Sequence, residues 1–229
     1  VVIVASFFVG AGAAAGGWTS YPPLSALRGA IPGSEMGQTL WIIAMVFFIA
    51  SFTMGGLNFV TTILNLRARG LGMFRMPMTI WGMFITAILQ AFALPVLTAA
   101  GFMQLMDRHL GTGFFIPEGW SANNTIAASG GGEPLLWQHL FWFYSHPAVY
   151  IMILPGMGVM SELITAFTRK RVFGYEFIAI SSLAIAVVGF LVWGHHMFVS
   201  GQSTYAGMVF SALSFLVAIP SAIKVFNWL

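Results

Sequence analysis

Three of the five histidines in this 229-residue chain, His146 and the adjacent pair His195 and His196, fall inside long apolar runs. An ionisable side chain is costly inside a bilayer, so each marks a functional position by default. Neutral imidazole is a good ligand for copper, iron or zinc. The chain has no cysteine and no intramembrane carboxylate near the three, and such a donor set favours a borderline metal over calcium or magnesium. An isolated membrane histidine can equally do no more than hydrogen-bond a neighbouring helix. Consecutive histidines on a helix point about 100° apart, so one ion held by both His195 and His196 must sit close to the backbone between them.

Two further groups extend this constellation inward. Tyr150 follows His146 by four residues, on the same helix face one turn away, and a phenol beside a metal can carry both a proton and an electron. Lys224 is the lysine that falls well within an apolar run, with Ser221 three residues earlier on its face. A hydroxyl and an ammonium below a phenol below a metal make a proton relay from the inner side. The competing reading for Lys224 is a side chain that snorkels to the interface.

These residues need a membrane scaffold, and the composition supplies one. Apolar side chains make up 59% of the chain and charged ones 7%, and the mean hydropathy is +0.89, too oily for an ordinary soluble domain. Crossing the hydrocarbon core takes about 20 apolar residues. By that ruler the chain is an all-α, polytopic transmembrane bundle of about six spans: 1–15, 38–65, 79–106, 136–166, 175–200 and 205–229. The first and last read as truncated, since the chain opens inside one apolar stretch and stops at Trp228-Leu229 inside another. Residues 1–229 are therefore expected to form a single membrane domain, the central fragment of a larger subunit. No targeting signal is readable.

The net charge of +3 does not point to nucleic acid. Its basic residues cluster as Arg67/Arg69/Arg75 and Arg169/Lys170/Arg171 beside apolar runs, and this is a topological signal that places both loops on the cytoplasmic or matrix side. The long Gly-rich loop before residue 136 is then outside. All three intramembrane histidines lie in the outer half by this count, which allows them to meet, and Lys224 lies inward of them. His109 in the outer loop and His139 at the outer helix mouth are taken as structural.

Six segments, in order, resemble the catalytic subunit of the haem-copper oxygen reductases, the cytochrome c oxidase family: GWTSYPPL, GGLNFVTTILNLRARG, PVLTAAGFMQLMDRHLGTGFF, WQHLFWFYSHPAVYIMILPGMG, VWGHHMFVSGQ and AIPSAIKVFNWL. The resemblance implies that His146, His195 and His196 are the copper ligands. It implies that Tyr150 is the tyrosine covalently linked to the first of them, and that Lys224, Ser221 and Ser161 belong to a lysine proton channel. Trp142 matches an aromatic packed by the binuclear centre, and Trp18 a tryptophan on the face where electrons enter. The implied activity is reduction of dioxygen to water by electrons from cytochrome c, coupled to proton uptake and pumping, in an integral protein of a bacterial plasma membrane. The implied partners are a copper-bearing subunit II, other oxidase subunits and membrane lipid.

The sequence departs from the commonest family pattern in two places. A glutamate usually stands two residues after the first copper histidine, and here that position is Ala148. The local motif Tyr144-Ser145-His146-Pro147-Ala148-Val149-Tyr150 is similar to a subgroup in which Tyr-Ser replaces that carboxylate. Tyr144 and Ala148 are i and i+4 on one face, so the phenol can reach the volume a carboxylate would fill. The family's haem-ligating histidines are also absent, so the haem ligands are expected outside these residues. Quinol is the alternative electron donor. A proton or metal transporter is the rival class, and it has no use for Tyr150 or for haem.

Overall fold

The computed structural model describes residues 1–10, 12–127 and 130–229. Ala11 in the first expected span, and Ala128 and Ser129 in the expected outer loop, lie outside the described residues. The fold is helical, with α1 at Val2–Ala5, α2 at Glu35–Asn65, α3 at Met78–Leu110, α4 at Pro134–Thr168, α5 at Tyr175–Gly189, α6 at Thr204–Leu216 and α7 at Ala218–Trp228. A minimal hairpin pairs Ser121–Ala122 with Thr125–Ile126.

Helices α2, α3, α4 and the continuous stretch Thr204–Trp228 are long and apolar enough to cross a membrane. Inside hydrocarbon every backbone N–H and C=O must be bonded internally, and a helix does this within one segment. Two expected spans differ from the structure. The described residues of 1–15 form the turn of α1 and a 3₁₀ turn at Ser6–Phe8, and Gly10 and Gly12 beyond them take positive φ (56° and 141°), which right-handed helix excludes. The run 175–200 is helical only to Gly189, and its outer part is a separate 3₁₀ turn at Trp193–Met197.

The described chain divides into two compact units, one made of Val1–Ser51 and Pro95–Phe141, the other of Phe52–Leu94 and Trp142–Leu229. The first is organised by buried polar groups. Gln104 Nε2 donates to Ser20 O (2.9 Å) and Ser25 Oγ (2.6 Å), and Gln38 Nε2 donates to Ser20 Oγ (2.6 Å). Arg108 donates to the carbonyls of Ser25 and Glu35, both at 2.6 Å. Asp107 accepts from the backbone N–H groups of Phe114 and Phe115, each at 2.9 Å. These bonds fasten irregular segments to helices where apolar packing alone would leave backbone groups unmet.

The second unit holds the histidines and Lys224. Its core packs Ile63, Trp81, Phe84, Leu89, Leu154, Ile178 and Ile185. Within it α3 and α4 approach backbone to backbone: a Cβ on Gly82 would lie 2.7 Å from Leu154 O, and one on Gly158 would lie 2.6 Å from Met78 O. Small residues permit such contact between membrane helices, which gain their association from close packing. Glu162 adds a polar tie by accepting from the Thr79 backbone N–H at 3.0 Å, and α5 packs on α7.

Candidate metal centre

His146 comes from α4 and is 4% exposed. Pro147 follows it and has no N–H to give the Phe143 carbonyl, so one helical bond is missing at the site. His195 and His196 come from the turn Trp193–Met197, which Gln202 ties down by donating from Nε2 to Gly194 O at 2.9 Å. Trp193 is wedged edge-on between Phe143 and Phe210, with ring centroids 5.2 and 5.0 Å away. The apolar run thus breaks its helix at the point where its histidines must face α4.

The three imidazoles converge, with one nitrogen from each lying within 4.8 Å of the others. His146 Nδ1 and His196 Nε2 are 2.9 Å apart. Two nitrogens each about 2.0–2.1 Å from a shared ion sit roughly 2.8–3.6 Å apart for angles from 90° to 120°, so this pair is already at ligand spacing. The donor set is three imidazoles with no carboxylate or thiolate, and it suits copper.

Each ring has its own restraint. His196 stacks face to face on Trp142, centroids 4.0 Å apart and 8° from parallel. His195 Nδ1 lies 2.9 Å from Ser214 Oγ. Ser214 gives its own hydroxyl proton to Phe210 O at 2.6 Å, so its oxygen accepts from His195 Nδ1–H, and His195 Nε2 is left bare for a metal. The ring of Tyr150 stands edge-on to His146, centroids 4.7 Å apart at 72°. Gly189 of α5 also abuts that ring: a Cβ there would fall 2.6 Å from a Tyr150 ring carbon.

His146 Nε2 is buried without a hydrogen-bond partner. Burying an unmet polar nitrogen costs about 1–3 kcal/mol, whichever tautomer is present. A carbon–nitrogen bond from Nε2 to the adjacent Tyr150 ring would remove that cost, since the substituted nitrogen carries no proton and Nδ1 remains as the ligand atom.

The inner residues are arranged differently from expectation. Lys224 is 2% exposed and does not snorkel. Its ammonium donates to Ser182 Oγ at 2.6 Å and to Ile178 O at 3.1 Å, both on α5. Ser221 Oγ donates to Val217 O on its own helix (2.9 Å). Ser161 Oγ donates to Met157 O (2.9 Å) and accepts from Trp228 Nε1 (3.0 Å). Neither bonds Lys224. Tyr144 is half-buried and Ser145 buried. Trp18 is 66% exposed and packs edge-on to Phe141. His109, expected in the outer loop, lies in the last turn of α3 and pairs with Thr39 Oγ1 at 3.0 Å.

Sequence reasoning did not reach Ser214, Gly189 or Ser182. For Ser182 there was a signal, a Ser-Ser pair inside the apolar stretch that follows Glu176. For the other two there was none.

A sequence model of the family described as cytochrome c and quinol oxidase polypeptide I matches residues 1–229. The alternative cytochrome c oxidase subunit 1 of Bradyrhizobium diazoefficiens is 45% identical over 228 residues, covering 100% of this chain. The cytochrome c oxidase subunit 1 of Synechocystis sp. is 46% identical over 228 residues, also with 100% coverage. That of Thermostichus vulcanus is 41% identical over 227 residues, with 99% coverage. In each case the chain spans 38% of the relative's own length.

Proposed function

This chain belongs to the cytochrome c and quinol oxidase polypeptide I family, and on that premise we propose that it forms the copper side of the oxygen-reducing centre of a terminal respiratory oxidase. The observation that carries this reading is the convergence of His146, His195 and His196 with the Tyr150 ring set against His146. The same resemblance supports a haem held by residues beyond those present here, and an oxidase complex with further subunits in a bacterial membrane. Cytochrome c is the proposed electron donor, with quinol the alternative.

His146 through Nδ1 and His195 and His196 through Nε2 would hold the copper, which when bound supplies an electron and a binding face for dioxygen. The work of this chain is to fix those nitrogens and to deliver protons. Ser214 holds the His195 tautomer, and Trp142 holds the His196 ring plane. The Tyr150 hydroxyl, joined through its ring to His146, gives up a proton and an electron and later regains both. The link forms by loss of one hydrogen from His146 Nε2 and one from a Tyr150 ring carbon, a two-electron oxidation for which dioxygen is the oxidant. Lys224 holds a proton on the inner approach, with Ser221 and Ser161 lining the way to it.

Tyr144, with Ser145, takes the place of the absent carboxylate: a phenol stays neutral near neutral pH, so it passes a proton rather than storing a charge. Moving each charge through the membrane field costs about 2.3 kcal/mol per 100 mV, and dioxygen reduction is exergonic enough to drive pumping.

The test is His195→Ala in the full-length subunit within its complex. Copper content and oxygen uptake should both collapse while haem spectra persist. Undiminished oxygen uptake would refute the reading.

A further inference from the structure

Lys224 is buried in a low-dielectric interior, and Ser221, the neighbour expected from its own helix, gives its hydroxyl to the Val217 carbonyl instead. Its two bonds both go to α5, to Ser182 Oγ at 2.6 Å and to Ile178 O at 3.1 Å. The Ile178 carbonyl also receives the hydroxyls of Ser181 (2.8 Å) and Ser182 (3.1 Å). Ser182 therefore spends its only hydrogen on its own helix backbone and turns its lone pairs to the ammonium. A hydroxyl whose proton is committed in this way cannot pass a proton onward. It can hold a cation in place through a charge-assisted bond, among the stronger kinds a neutral side chain makes.

The same helix carries a second mark. Gly189, seven residues after Ser182, is where the Tyr150 ring rests. Seven residues are about two turns, so the two positions share one face and are separated by about 10 Å along the axis. Two of the three ammonium hydrogens are fixed on α5, and the third has no partner among the described residues. A gap of that length exceeds any single hydrogen bond of about 3 Å, so a proton leaving Lys224 needs a start point that does not wander.

We propose that Ser182 is a positioning residue of the proton path, an anchor that holds the Lys224 ammonium against α5 two turns inward of Tyr150. The inference rests on the reading of Lys224 as a proton carrier.

The experiment uses the full-length oxidase complex. It measures the rate of reduction of the oxygen-reducing centre, with proton uptake followed by a pH-indicator dye. Lys224→Met tests the underlying reading and should be slow. Ser182→Ala should slow uptake about tenfold, the scale of a lost charge-assisted bond, while Ser182→Thr, which keeps the hydroxyl, should stay close to wild type. Ser181→Ala is the control and should leave the rate unchanged, because Ser181 bonds only the helix carbonyl. In the Lys224→Met background, Ser182→Ala should add nothing, since the two act as one unit.

A wild-type rate for Ser182→Ala beside a slow Lys224→Met overturns the anchor and spares the carrier. A further slowing of Lys224→Met by Ser182→Ala shows a general packing defect and also overturns it. A fast Lys224→Met removes the carrier reading and the anchor together. If the alanine variant does not assemble, Ser182→Cys, similar in size but a weak acceptor, should show the same slowing.

Discussion

Replacing Gly189 by alanine puts one methyl group against the ring of Tyr150. The added Cβ would lie 2.6 and 2.7 Å from two ring carbons and 3.3 Å from a third. Carbon atoms at rest are about 3.5–4.0 Å apart, so the ring and α5 must separate by about 1 Å. Alanine is the better helix former, and α5 as an isolated helix gains from the change. Overpacking of this size costs about 1–3 kcal/mol, and Tyr150 moves more readily than the helix backbone. Its ring now stands 4.7 Å from that of His146, and bond formation to His146 Nε2 depends on that approach. Misplacing a reacting group by about 1 Å can cost on the order of 100-fold in rate. The assay is mass spectrometry of the proteolytic peptide holding both residues, in which the link shows as the loss of two hydrogens, together with oxygen uptake. The variant should keep its copper, because no ligand is touched, yet lose most of the link and about 100-fold in turnover. A complete link at wild-type turnover would show that Gly189 does not position Tyr150.

Four other outcomes are expected. Ser214→Ala frees the His195 tautomer and should lower copper affinity about 10–100-fold, seen as faster copper loss to a chelator, while Ser214→Thr should retain copper. Tyr144→Phe should slow proton uptake and turnover if the phenol serves for the missing carboxylate, and unchanged values would dismiss that role. Gly158→Ala forces a Cβ to within 2.6 Å of Met78 O and should cost about 1–3 kcal/mol, read as a lower unfolding temperature in detergent with no effect specific to copper. Stripping copper with a chelator should leave the helical circular dichroism unchanged and be reversed by added copper, because protein groups and not the metal fix the rings.

The parts of the fold read correctly from sequence were those with a strong physical signal. Apolar runs near 38–65, 79–106, 136–166 and 205–229 became membrane-length helices. The run 175–200 looked the same by hydropathy yet breaks after Gly189, because apolarity reports the solvent and not the backbone conformation. The histidine cluster was legible because ionisable groups are rare at that depth. Ser214 was not, being one of several hydroxyls in its helix and nineteen residues from its partner. Ser221 shows the limit of face-sharing arguments. Position i−3 brings it near Lys224, but its hydroxyl is satisfied by the Val217 carbonyl, as serines in helices often are, and the long lysine stem reaches a neighbouring helix instead.

The three imidazoles of the cluster are held by three different means, and the means are not equivalent. Trp142 lies flat on His196, which fixes the plane of the ring but is indifferent to which nitrogen bears the proton. The contact between His195 and Ser214 is directional: with the serine hydrogen already committed to Phe210 O, only one tautomer of His195 fits, and that tautomer presents a bare Nε2. His146 is set by burial on α4 and by Tyr150, and its Nε2 is buried with no hydrogen-bond partner among the described residues. Stacking thus orients, a hydrogen bond selects the protonation state, and the proposed bond to Tyr150 would resolve the remaining buried nitrogen. A site built this way needs no carboxylate to fix its imidazoles, so Ala148, two residues after His146, takes away no group that restrains them.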